Sequence, residues 1–323
     1  VDACTLCDMC YLTKCPYVPP HEFNLDVPHL MLRYRAVEYK KGNIGVVRKQ
    51  IANTDRNGRI AGLLSLFSNW FTKLENTFTR RLLQALTGIH RGAAIPQFYR
   101  RTLCGRVNLN SFLRNERATA AQRKAIVYGT CFVNYNDPTM GEDAIEVLAR
   151  NGVQTKVLHP VCCGMPRLEQ GDISMVSKNA RKVAQTFRPW IDKGYDIVAL
   201  TPSCALMMKF EWPLILPDDK DVELLSKSTS DISEYIVDIA KNEGLSNNMG
   251  QLKGGITVHL ACHARAQNMG QKAVELLRLI PNADVNVVER CSGHGGSWGM
   301  MKENFETALK VGKPVVRKVI EDA

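Results

Sequence analysis

"YGTCFVNYNDPTMGEDAIEVLARNGVQTKVLHPVCCGMP", residues 128–166, has a near-copy later in the chain, "VHLACHARAQNMGQKAVELLRLIPNADVNVVERCSGHGG", residues 258–296. Each stretch holds the end of an apolar strand, a cysteine, a loop, a helix carrying AIEVL or AVELL, a second strand and a second cysteine. Matched elements with matched thiols identify an internal duplication. Around the first copy, "AIVYG", "VQTKVLHP" and "YDIVALTPSC" read as strands. "GEDAIEVLARNG" and "SMVSKNARKVAQTFRPWIDKG" read as helices closed by Gly152 and Gly194. The alternation predicts an α/β fold of two tandem, similar lobes with parallel sheets, over residues 126–250 and 251–323.

The thiols follow the strands, at the carboxyl edge where open α/β sheets build their sites. Two such lobes facing each other would bring both edges to one cleft. In the first lobe Cys131, Cys162, Cys163 and Cys204 are expected to converge, which favours a metal centre over four buried neutral cysteines. The second lobe keeps Cys262 and Cys291, but Ser292 stands where Cys163 would be, and no counterpart of Cys204 precedes Ala323. His263 and His294 are candidate replacement ligands, since imidazole can stand in for thiolate on iron; they are equally plausible as ordinary loop histidines. The glycines of "GHGGSWG" match neither the Walker nor the dinucleotide fingerprint, and read as a place where backbone approaches a metal or cofactor closely. Cys104 reads as a small buried residue.

At the other end lies "CTLCDMCYLTKCP", residues 4–16. Cys4, Cys7 and Cys10 are spaced to wrap a cubane 4Fe–4S cluster, with Cys15 displaced and Pro16 turning the chain away. Zinc is the rival, although zinc knuckles separate their cysteine pairs by a longer stretch. Four residues rather than three precede Cys15, which leaves its partition between clusters open. Ferredoxins carry such runs in pairs. The single run therefore reads as half of a two-cluster module in residues 1–30, completed upstream or by a neighbouring chain. A start at Val1 agrees with a fragment. The proline-rich stretch to His29 reads as a tether, with His21 and His29 in surface or capping roles.

Residues 31–125 hold nineteen Lys or Arg against four acidic residues in a chain whose net charge is +10. Nucleic acid, anionic lipid and an acidic protein are the partner classes such a concentration suits. Within it, "AGLLSLFSNWFTKLENTFTRRLLQALTG" places Leu63, Phe67, Trp70, Phe71, Leu74, Phe78 and Leu82 on one stripe, flanked by Lys73, Arg80 and Arg81. This predicts an amphipathic helix, either packed on the protein or lying on a membrane surface. No apolar run is long enough to span a bilayer. The eleven cysteines are clustered, which favours metal or redox chemistry in a reducing, cytoplasmic compartment over disulfides.

"CFVNYNDPTMGEDAIEVLARNG", "CCGMP", "CHARAQNMG", "AVELLRLIP" and "CSGHGGSWGMMKENF" resemble the paired cysteine-rich CCG domains. These occur in heterodisulfide reductase subunits, glycolate oxidase iron–sulfur subunits and, most closely, the iron–sulfur subunit of anaerobic glycerol-3-phosphate dehydrogenase. The resemblance implies a ferredoxin-like module followed by two CCG domains, passing electrons from a flavin-type dehydrogenase partner toward a membrane quinone or a disulfide. It assigns Cys4, Cys7, Cys10 and Cys15 to a 4Fe–4S module, and Cys131, Cys162, Cys163 and Cys204 to a second iron–sulfur cluster. Cys262 and Cys291 would belong to a further metal or cofactor site. Met207 stands where relatives often carry another cysteine, and Ser292 also departs from the pattern. Relatives continue past the equivalent of Ala323, so the second CCG domain is expected to be truncated here.

The leading expectation is thus an iron–sulfur electron-transfer subunit of an oxidoreductase, peripheral on the membrane. A catalytic disulfide or heterodisulfide reductase is the alternative, weakened by Met207 and Ser292. A zinc-containing nucleic-acid binder comes third, disfavoured by the cysteine spacing and by sparse aromatics outside the stripe.

Overall fold

The computed structural model describes residues 4–10, 15–107, 112–246, 249–252 and 254–322. Four strands, β1 (Lys124–Tyr128), β2 (Gln154–Leu158), β3 (Asp196–Ala199) and β4 (Thr229–Asp231), form a wholly parallel sheet in the order β2-β1-β3-β4. The expectation of an α/β fold with parallel sheets holds. β1 is apolar on both faces because both are covered. Ala125 and Val127 face Ile145 and Leu148 of helix Pro138–Arg150, while Ile126 and Tyr128 face Val183 and Phe187 of helix Ile173–Ile191. Those helices end before Gly152 and Gly194, as the sequence indicates.

From β1 the chain moves outward to β2, then crosses back to β3 on the other side. The order therefore reverses between β1 and β3, and open α/β sheets place their crevice at the carboxyl ends beside such a point. Short helices Cys131–Tyr135 and Pro202–Leu206 start directly after β1 and β3.

The second half is thinner. β5 (Gly255–His259) and β6 (Asp284–Val288) pair in parallel as a two-stranded sheet, with helix Phe305–Asp322 against both strands. The two cysteine edges meet: helix Pro202–Leu206 packs against helix Cys262–Ala266, the Ser203 hydroxyl lies 2.8 Å from His263 Nδ1, and Gln267 Nε2 donates to the Pro202 carbonyl at 3.2 Å.

The basic segment is helical, but its stripe is not one helix. It breaks into Thr54–Leu63, Ser65–Thr72 and Thr77–Thr87. Lys73 is extended, and Asn76 caps the third helix by accepting from the Thr79 N–H. Nor does the stripe pack on the rest of the protein. Leu63, Leu66, Phe67, Trp70, Leu74, Phe78, Leu82 and Leu86 are exposed, Leu66 at 90% and Phe78 at 77%. Lys73 and Arg81 are exposed beside them, whereas Arg80 is buried and donates to the carbonyls of His90, Arg91 and Ala93. Arg80 thus closes the end of the segment and cannot serve as the flanking surface charge its position in the stripe suggested.

Candidate metal centre

The four cysteines of the first lobe converge at the carboxyl edge. Cys131 opens the helix after β1, Cys162 and Cys163 lie in the loop after β2, and Cys204 sits in the helix after β3. Cys162 Sγ is 3.5 Å from Cys131 Sγ, and Cys204 Sγ is 3.1 Å from Cys163 Sγ. Adjacent residues thus reach opposite partners, giving a continuous line of sulfurs. Cys162, Cys163 and Cys204 are buried and Cys131 is partly so.

Four thiols in one apolar pocket cannot all ionise. Hydrogen bonds from Cys131 and Cys163 hold the Cys162 thiol well below its ordinary pKa, assisted by Thr54 and the Gly164 N–H. Those same contacts push Cys131 and Cys163 well above theirs. The arrangement favours the thiolate at Cys162 and disfavours it at Cys131 and Cys163.

The frame around the thiols is polar and specific. Trp212 Nε1 donates to the Cys163 carbonyl at 3.2 Å, Asn179 Nδ2 to the Cys162 carbonyl at 3.0 Å, and the Tyr128 hydroxyl to the Val161 carbonyl at 2.6 Å. Asp55 reaches in from the basic segment: its Oδ2 accepts the Cys162 N–H at 2.6 Å and its Oδ1 lies 2.7 Å from His159 Nε2. Sequence patterns did not mark these residues, although Asp55 is one of only four acidic residues among nineteen basic ones in its segment.

An iron–sulfur group fits this pocket. The donor set is all thiol, which selects soft-ligand chemistry. One buried polar atom beside Cys131 and Cys162, Thr54 Oγ1, has no hydrogen-bond partner. Sulfurs 3.1 and 3.5 Å apart are closer than the roughly 3.8 Å separating thiolates around one zinc with 2.3 Å bonds, so the side chains would spread to take up a zinc ion or a cluster alike, and it is the all-thiol donor set that carries the fit. Among the described residues no group of three or more His, Cys, Asp or Glu is spaced to hold a metal ion as the side chains stand.

The N-terminal run lies against both lobes. Leu6 is buried in the first lobe's core, Cys4 packs on the cluster containing Cys162, Cys163 and Cys204, and Arg35 donates to the carbonyls of Cys4 and Glu169. The turn is tight, with Leu6 and Asp8 at φ +49° and +58°. Cys10 is exposed, and Cys15 donates its N–H to the Cys10 carbonyl at 3.0 Å.

Cys7 does not turn toward its own run alone. Its thiol hydrogen-bonds Cys262 of the second lobe, which lowers Cys7 to about 5 and raises Cys262 well above its ordinary value, with Cys291 near enough to add repulsion. His263 stands beside them with both ring nitrogens engaged, by Ser203 and, at 3.4 Å, by the Leu6 carbonyl. Burial favours its neutral form. It works here as a tie between the lobes and the N-terminal run. The His294 ring is close to His263, and its carbonyl accepts from the Gly299 N–H.

The glycines of the 293–299 loop allow a close approach to protein: a Cβ on Gly295 would fall 2.7 Å from Thr5 Cγ2, and one on Gly296 would strike the Glu169 carboxyl. Beside this contact opens a cavity of about 390 Å³, lined by Cys4, Arg48, Ile51, Glu169, Trp298 and Met301 among others. Burial raises Glu169 to about 7. Cys104, expected to be buried, is exposed and stands apart from the thiol line.

Residues 125–209 match the family described as cysteine-rich domain, CCG. The chain is 26% identical over 285 residues to a subunit of the anaerobic glycerol-3-phosphate dehydrogenase of Escherichia coli (strain K12), covering 84% of this chain and 67% of that protein. It is 27% identical over 186 residues to "Lactate utilization protein A" of Bacillus pumilus (strain SAFR-032), covering 55% of this chain and 75% of that protein. No solved structure matches significantly.

Proposed function

Since the chain carries a CCG cysteine-rich domain and is homologous to a subunit of anaerobic glycerol-3-phosphate dehydrogenase and to lactate utilization protein A, we propose that it is an iron–sulfur electron-transfer subunit. On this reading it relays electrons from a flavin-type dehydrogenase to a quinone at the membrane surface. The observation that carries it is the line of four thiols at the β1/β3 switch point, one already favouring its thiolate. A bound iron–sulfur cluster supplies reversible one-electron storage. The chain's own residues fix the thiols, exclude water through the Trp212 and Phe187 core, and bring Cys4 and Cys7 within the same packed body. The N-terminal run would hold a 4Fe–4S cluster on Cys4, Cys7, Cys10 and Cys15.

Two features support the acceptor side. The exposed stripe, with Lys73 and Arg81 beside it, suits an anionic lipid surface. The cavity beside Cys4 is lined by Ile51, Trp298 and Met301, and Met301 pairs with Ile89 at the end of the stripe-bearing segment. No described helix is long and apolar enough to cross a membrane.

Anaerobically purified protein tests the proposal. Several irons per chain, broad absorbance in the visible and electron transfer to a quinone analogue support it. A colourless protein with stoichiometric zinc refutes it. Turnover of a small disulfide that persists after deletion of residues 61–88 would assign the chain to disulfide reduction instead.

A further inference from the structure

The first cysteine site is not completed by its own lobe. Helix Thr54–Leu63 of the basic segment lies across helix Cys131–Tyr135, and its close seat depends on Gly58, where a Cβ would stand 2.5 Å from the Tyr135 ring. That seat delivers two side chains. Asp55 holds the Cys162 N–H at 2.6 Å and the His159 ring at 2.7 Å. Thr54 Oγ1 is buried with no hydrogen-bond partner, and the groups it stands beside are the sulfurs of Cys131 and Cys162. A hydroxyl removed from water costs free energy unless it finds an acceptor, and a thiolate is the acceptor at hand.

We propose that Thr54 and Asp55 are positioning residues of the first cysteine site, Thr54 by donating a hydrogen bond to cluster-bound sulfur and Asp55 by fixing the Cys162 backbone and the His159 ring. The inference rests on the iron–sulfur reading of this site. Hydrogen bonds to sulfur and net charge nearby are two of the levers that set such a centre's potential. A donor at sulfur stabilises the added electron, so Thr54 raises the potential. A carboxylate beside Cys162 opposes the added electron, so Asp55 lowers it. Both residues belong to the segment that exposes the apolar stripe, so the surface that would meet a membrane and the redox site share one run of helices.

The test uses the full chain, purified anaerobically, with iron content and the first-site signal followed by electron paramagnetic resonance through a redox titration. Thr54→Val should keep its iron and shift the midpoint potential to more negative values, and Thr54→Ser should restore it. Asp55→Asn should shift it to more positive values. Arg56→Ala, on the same helix but exposed and bonded to Gln50 and Asn57, should leave it unchanged. A purely structural role would alter iron retention or melting without this opposed pair of shifts. If wild-type protein holds iron and either Thr54→Val or Asp55→Asn titrates at the wild-type potential, the proposal is overturned. If wild-type protein holds no iron at this site, the iron–sulfur reading falls with it.

Discussion

The sulfurs of Cys163 and Cys204 lie 3.1 Å apart although 41 residues separate them in the chain. The sheet order β2-β1-β3 brings them together, because the segments that follow β2 and β3 meet over the carboxyl end of β1 between them. Replacing either with serine keeps the side chain small but exchanges a soft donor for a hard one. Cys163→Ser and Cys204→Ser should each lose the iron of the first site while keeping the fold, at a stability cost of about 1–2 kcal/mol for a buried hydroxyl. Iron per chain and visible absorbance read the first effect, and denaturant unfolding reads the second. Full iron retention in the double variant would remove these residues from the centre.

Trp212 is fully buried, and its indole N–H is the donor to the Cys163 carbonyl. Trp212→Phe keeps most of the ring but orphans that carbonyl, so it should cost about 1–3 kcal/mol. Trp212→Ala adds a cavity and should cost about 3–5 kcal/mol. Urea unfolding monitored by circular dichroism separates the two. Equal losses would mean that the hydrogen bond contributes nothing.

His29 lies not in an extended tether but in helix Val27–Lys40, where Asp26, the N-cap, holds it at 2.6 Å while Glu211 of the first lobe meets it at 3.2 Å, with Asp8 also facing it. The Glu211 hydrogen bond is the main reason its pKa is raised from 6.5 to about 9. A raised folded-state value stabilises when the group is protonated. The contribution is therefore complete below pH 6.5 and disappears as the pH climbs through about 9. The stability gap between wild type and His29→Gln should be about 1 kcal/mol at pH 6, allowing for partial exposure, and close to zero at pH 10. Thermal melts across that range test it, and a gap that widens with pH would contradict it.

Phe67 and Trp70 are 59% and 55% exposed, with ring centroids 5.8 Å apart. Since neither supports the core, Phe67→Ser with Trp70→Ser should leave melting within about 0.5 kcal/mol of wild type. Each ring contributes about 1.5–3 kcal/mol when it leaves water. Partition onto vesicles containing anionic lipid should then fall at least tenfold. Sedimentation with vesicles measures this, and high salt should weaken wild-type binding. Binding unaffected by the double change would take the stripe out of any membrane contact.

The parts of this architecture that were legible in the sequence are those governed by local pattern. The buried run of β1, the glycine ends of helices Pro138–Arg150 and Ile173–Ile191, and the placement of Cys131, Cys162, Cys163 and Cys204 after strands all follow from periodicity and turn chemistry. What escaped depends on distant approach. Asp55 meets Cys162 across 107 residues, and Cys7 meets Cys262 between opposite ends of the chain. No local pattern encodes such pairs. The stripe misled in a different way: its spacing of three and four continues through Lys73–Asn76, but Asn76 caps a new helix there and the periodicity cannot register the break.

Arg80 shows why a stripe's flanking charges cannot be assigned from spacing alone. It is 1% exposed, and its guanidinium donates to the carbonyls of Thr72, His90, Arg91 and Ala93, so one fork joins two helices to the strap after them. A lysine carries the charge but not the planar spread of donors. Arg80→Lys should cost about 1–3 kcal/mol, and Arg80→Met about 3 kcal/mol or more, because several carbonyls then lose their donor away from water. Proteolysis should begin within residues 72–93 in the Met variant while iron content stays at the wild-type level. Arg81→Ala, by contrast, should leave melting unchanged and weaken vesicle binding in low salt, since that side chain is the exposed one. If Arg80→Lys instead melts like wild type and Arg81→Ala is the variant that unfolds, the two arginines have exchanged roles and the arrangement described for this segment is wrong.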